Sequence, residues 1–100
     1  MTAPELKPET CLSRKEGIEL RSIERGALLV DLSSGRCYRL NAVGAEVWRA
    51  LAAATPCREL YGRIADRYRI PLDRAESDIG DLVRELLRAE LVQIEPGAPR

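Results

Sequence analysis

One hundred residues, 45% apolar and 32% charged, suffice for one domain around one core, and no apolar run is long enough for a membrane span. Sixteen basic side chains balance sixteen acidic ones, so the whole chain projects no strong field toward nucleic acid or an anionic membrane. Histidine is absent, Cys11, Cys37 and Cys57 form no Cys-x-x-Cys pair, and there is no glycine-rich phosphate loop, so the sequence predicts neither an enzyme nor a bound metal or cofactor.

The first residues, Met1 to Arg14, carry prolines and mixed polar residues without periodicity, which predicts a flexible lead-in over residues 1–15. This segment has no basic region followed by an apolar stretch, so no secretory signal is read there and the product is expected to be cytoplasmic. The three cysteines are read as reduced thiols, with Cys37 and Cys57 as small apolar fillers of the core.

Ile18 to Ile23 alternates in part, Glu24-Arg25-Gly26 offers a turn, and Ala27 to Leu32 is an apolar run, which gives two strands. Ser33-Ser34-Gly35 offers a second turn before Arg36-Cys37-Tyr38-Arg39-Leu40, a third strand of alternating polarity. Short turns make the three an antiparallel meander.

Asn41 is a suitable N-cap, and Val43, Val47, Trp48 and Leu51 give one apolar stripe, predicting a helix over Ala42 to Ala53. Thr55-Pro56 repeats a start signal, and Leu60, Tyr61, Ile64, Ala65 and Tyr68 trace a second helix to about Arg69, with Tyr61 and Tyr68 at the edges of the core. After Pro71, Asp73 with Glu76 forms a capping-box pattern, and Ala75, Ile79, Leu82, Val83, Leu86 and Leu87 mark a third helix ending near Ala89. Leu91 to Ile94 is read as a short final strand or an apolar tail, and residues 96–100 as a disordered end. Strands first and helices after predict an α+β domain, winged-helix-like, with a three-stranded antiparallel sheet followed by three helices.

That layout makes a DNA-binding regulator one alternative, with the third helix as the reading element. Its charge opposes this: Asp73, Glu76, Asp78, Asp81, Glu85 and Glu90 outnumber Arg74, Arg84 and Arg88, so phosphates would be repelled where contact is needed. The strand Arg36–Leu40 ends the meander and would expose unpaired backbone groups at a sheet edge. Two readings of it stay open on the residues alone: Arg36 and Arg39 guard the edge, or the edge accepts a strand from another polypeptide.

The segment Ser34-Gly35-Arg36-Cys37-Tyr38-Arg39-Leu40-Asn41-Ala42-Val43-Gly44-Ala45-Glu46-Val47-Trp48 resembles the PqqD family, through its glycine, strand aromatic, Leu-Asn, Gly-Ala and aliphatic-Trp pair. The resemblance covers about Glu16 to Ile94 and implies a peptide-recognition domain over residues 16–95. It implies that the leader of a ribosomally made precursor peptide adds a strand to Arg36–Leu40 in a groove completed by the third helix. The precursor would then be presented to a maturation enzyme, a cysteine peptidase or a radical-SAM protein; similarity to the small leader-binding proteins of lasso-peptide clusters ranks the peptidase first. On those terms the peptide-binding residues are Arg36, Cys37, Tyr38, Arg39 and Leu40 on the strand, with Asp78, Leu82, Glu85 and Ala89 on the helix, and no catalytic residue, nucleic acid or membrane is involved. On a helical wheel Asp78, Glu85 and Ala89 flank the buried stripe on one side, Gly80 and Leu87 on the other, and the sequence does not decide which side faces a guest. The chain departs from the family pattern at Ala89-Glu90, where such proteins often carry a glycine.

Overall fold

The computed structural model describes residues 6–95, so residues 1–5 and the tail 96–100 lie outside the described part. Among the described residues six strands and three helices follow one another: β1 Cys11–Arg14, β2 Ile18–Ile23, β3 Gly26–Asp31, β4 Cys37–Asn41, α1 Ala42–Ala50, β5 Thr55–Pro56, α2 Cys57–Tyr68, α3 Leu72–Arg88 and β6 Val92–Ile94. The α+β arrangement of a three-stranded antiparallel meander and three helices is the one the pattern predicts, in the order β2-β3-β4. Among the described residues no helix is long and apolar enough to cross a membrane.

Turn chemistry sets the register of the meander. Gly26 opens β3 so close to β4 that a Cβ there would lie 2.0 Å from the Leu40 carbonyl oxygen, which only glycine permits. At the other end Gly35, at φ 77°, donates its N–H to the Asp31 carbonyl at 2.7 Å. The Ser33 side-chain and backbone hydrogen bonds to the Asp31 carboxylate hold that carboxyl below its ordinary value. The turn absorbs Arg36, so the strand expected at Arg36–Leu40 runs from Cys37 to Asn41 instead.

A second sheet, ordered β5-β1-β6, corrects the expectation of a loose lead-in over residues 1–15 at Cys11–Arg14, where β1 lies. Leu12 pairs with Thr55 on one side and Ile94 on the other, and both Cys11 and Leu12 are buried. The final apolar run is therefore a strand, and the packed domain starts before residue 16. The same pairing overrides the helix start read at Thr55-Pro56. Those two residues form β5, and the Thr55 hydroxyl donates to the carbonyls of Ala50 and Ala53, at 3.1 and 2.8 Å, rather than capping α2.

Asn41 does cap α1, its side-chain oxygen accepting the Gly44 N–H at 2.8 Å, but the helix closes at Ala50 rather than Ala53 because Leu51 leaves helical geometry. The capping box does not form: α3 begins at Leu72 behind Pro71, which places Asp73 inside the first turn. There its charge still favours the helix N-terminus. Glu90, at φ 60°, takes the left-handed position past α3 where the family pattern often has glycine.

One core joins both sheets to the helices through Leu12, Leu29, Leu40, Trp48, Leu60 and Ile79. Trp48 is fully enclosed, with the Arg14 guanidinium 5.4 Å from its ring centroid. Cys57 fills space as predicted, whereas Cys37 is exposed on the outer face of β4. Tyr61 is buried and only Tyr68 sits at the core edge, 39% exposed.

Burial pushes the Tyr61 hydroxyl from 10.0 up to about 12, the neighbouring Cys57 adding to the rise, and burial likewise raises the Cys57 thiol above 9.0. The folded chain thus holds both protons more tightly than the unfolded chain. The stability they contribute is complete below pH 9.0 and declines as pH rises toward 12. Alkaline unfolding followed by circular dichroism is expected to show this decline, and Tyr61→Phe is expected to flatten its upper part. An unchanged profile would contradict the assignment.

Candidate functional site

Among the described residues β4 is an edge of its sheet, with β3 on one side and no strand on the other. Antiparallel pairs alternate between those that exchange two hydrogen bonds and those that exchange none. The Asp31 N–H donates to the Arg36 carbonyl at 2.8 Å, which makes Asp31/Arg36 a bonded pair. The register then makes Leu29/Tyr38 and Ala27/Leu40 bonded pairs as well. Cys37 and Arg39 are left with their N–H and C=O groups directed to the open edge. Side chains alternate independently: Tyr38 and Leu40 turn inward, while Cys37 and Arg39 are exposed.

Beside this edge lies a groove of about 430 Å³ between β4 and α3. Tyr38, Arg39 and Leu40 form the strand wall, Leu82, Glu85 and Ala89 line the helix wall, and Leu86 and Leu91 lie deeper. Arg88 joins the helix wall at its rim. The helix faces the groove this way because Ala75, Ile79, Val83 and Leu86 are drawn into the core, which rotates the neighbouring Leu82–Glu85–Ala89 row toward β4.

The fold thus brings together Tyr38, Arg39, Leu40, Leu82, Glu85 and Ala89, and it selects the Glu85 flank over the Gly80 flank. Asp78 does not join them: it lies farther up the helix, 3.7 Å from Arg74. Arg36 sits in the turn and Cys37 offers the groove only its backbone. Leu86, Arg88 and Leu91 were not among the residues read from the sequence. Leu86 and Leu91 were visible there only as core positions, and nothing marked Arg88 apart from other exposed charges.

A second recess lies along another side of α3, where Asp73, Glu76, Asp81, Arg84 and Tyr61 face Leu6 and Pro8. It is polar and touches no open strand. Its acids also reinforce the charge argument against phosphate contact by this helix.

A family model described as coenzyme PQQ synthesis protein D matches residues 26–92. No curated protein matches the sequence. Three solved structures are similar. TbiB1 in complex with the TbiA(beta) leader peptide has 25% identity and a TM-score of 0.71, covering 87% of this chain and 99% of that one. A lasso peptide synthetase B1 complexed with its leader peptide has 22% identity and a TM-score of 0.71, covering 82% and 96% respectively. The solution structure of the PqqD truncation of Methylobacterium extorquens PqqCD is described as a functional, stand-alone recognition element for ribosomally synthesised and post-translationally modified peptides. It has 14% identity and a TM-score of 0.77, covering 93% of this chain and 99% of that one.

Proposed function

Since the chain belongs to the PqqD family, we propose that it binds the leader segment of a ribosomally made precursor peptide and presents it to a maturation enzyme. The observation that carries this reading is the open β4 edge beside an apolar groove. The edge offers main-chain hydrogen bonds at Cys37 and Arg39, and the groove offers burial to alternate side chains of an added strand. The similarity to TbiB1, solved in complex with the TbiA(beta) leader peptide, supports leader binding.

No chemical step is assigned to this chain. Its contribution is effective concentration: holding the leader keeps the remainder of the precursor near the enzyme that acts on it. A lasso-peptide precursor, with a cysteine peptidase as the receiving enzyme, is the version the family resemblance ranks first, and the neighbour described as lasso peptide synthetase B1 supports the precursor class. The proposed recognition unit includes β1, so it extends from before Cys11 to β6.

The test is titration of the chain with the leader of a precursor encoded beside it. A dissociation constant on the order of sub-micromolar to micromolar is expected for a short segment that orders on binding. Failure to bind any adjacent precursor would sink the proposal. Strand addition makes a sharper forecast. Cys37→Pro removes an outward N–H without touching the β3–β4 bonds, so binding is expected to fall about tenfold while the fold persists. Tyr38→Pro removes an inward N–H and is expected to destabilise the sheet itself. If Cys37→Pro binds as the parent does, the guest does not pair with this edge.

A further inference from the structure

The meander has a second open edge, along β2. The Leu32 N–H donates to the Gly17 carbonyl at 2.9 Å, which makes Gly17/Leu32 a bonded pair. The register then makes Glu19/Val30, Arg21/Leu28 and Ile23/Gly26 bonded pairs as well. Ile18, Leu20 and Ser22 therefore direct their N–H and C=O groups away from β3, and among the described residues no strand meets them. Side chains divide by face. Glu19 and Arg21 are exposed on the outer face, where their charged groups meet at 3.0 Å. Ile18 and Leu20 turn inward but stay half-buried at the margin of the core, because α1 packs on β3 and β4.

We infer that this edge binds the same edge of a second copy of the chain, antiparallel and centred on Leu20. In that register Leu20 faces Leu20 and Ile18 faces Ser22, and each such pair exchanges two main-chain hydrogen bonds. The close, non-bonded positions between them set Glu19 opposite Arg21 of the second copy, and Arg21 opposite its Glu19. Two ion pairs thus form across the contact. Moving the centre by one residue, to Glu19 or to Arg21, sets like charges face to face, so the order of charges selects one register. On the inner side the two Leu20 side chains meet, with Ile18 of each copy diagonal to them, and the apolar margin left by α1 is buried. Charges often guard a sheet edge by repulsion, but this pair is complementary to itself. β4 lacks that property. Its charged residue is Arg39, and pairing two copies about it sets guanidinium against guanidinium. A contact between identical patches closes at a dimer, and it leaves both β4 edges open at the ends of one continuous sheet. The inference is therefore independent of what β4 binds.

The experiment is sedimentation equilibrium of the full chain, with a dissociation constant expected on the order of tens to hundreds of micromolar for so short an edge. Glu19→Arg alone, or Arg21→Glu alone, sets like charges opposite at both positions and is expected to weaken association roughly tenfold. The double variant Glu19→Arg/Arg21→Glu restores opposite charges and is expected to return the constant to within about threefold of the parent. Both side chains are exposed, so circular dichroism is expected to show every variant folded. Hydrogen exchange at the Leu20 amide is expected to slow as concentration rises, whereas that at the Cys37 amide is not. A parent that stays monomeric up to about 1 mM, or a double variant no tighter than the single ones, would overturn the inference. So would a Leu20 amide whose exchange is indifferent to concentration, because the copies would then meet elsewhere.

Discussion

Leu82→Arg is expected to weaken leader binding by about a hundredfold or more while leaving the domain folded. Leu82 is half-buried at the middle of the helix wall, facing Tyr38 and Leu40 across the groove. Burying one apolar side chain of a guest is worth about 1.5–3 kcal/mol, and an arginine here both occupies that space and leaves a charge to be desolvated. Together these exceed the roughly 2.8 kcal/mol that a hundredfold change requires. The helix itself tolerates the exchange, because arginine and leucine have similar helix propensities and the long side chain can carry its charge out to solvent. Titration reads the binding and circular dichroism reads the fold. Retention of affinity within about threefold would mean that the guest does not use this wall.

The second large effect concerns stability. Trp48→Ala is expected to cost about 3–5 kcal/mol, a sizeable share of what a domain this small possesses. Trp48 is wholly enclosed in the core that joins both sheets to the helices, so the void left behind is expected to collapse only in part. The loss also removes the ring against which Arg14 rests. Trp48→Phe is expected to cost markedly less, because it keeps an aromatic ring and deletes an indole N–H that has no hydrogen-bond partner among the described residues. Urea unfolding of the two variants measures both. Equal losses would show that the indole N–H and not the ring volume governs this position.

The meander and the apolar face of α3 were legible because each obeys a local rule. Alternation and turn residues gave β2, β3 and β4, and helical spacing gave the Ile79, Val83 and Leu86 stripe. β1 was not legible, because nothing within Cys-Leu-Ser-Arg marks a strand. It becomes one by lying between Thr55 and Ile94, partners remote in sequence. The misreading of Thr55-Pro56 has the same cause, since a strand pairing outcompeted the capping role its composition suggested. The groove was half legible. An edge strand can be inferred from strand order, but which flank of α3 meets it depends on how the core rotates the helix, and this removed Asp78 and added Arg88.

The position of β1 bears on the order in which the molecule matures. The strand wall of the groove is complete once Asn41 has been made, and hairpins of such local pairing form within microseconds. Leu91 at the far end, and Ile94 that secures Leu12, leave the ribosome only after all three helices. A nascent chain therefore displays an open strand edge before it owns the groove beside that edge. The groove is therefore closed late, when β6 pairs with β1.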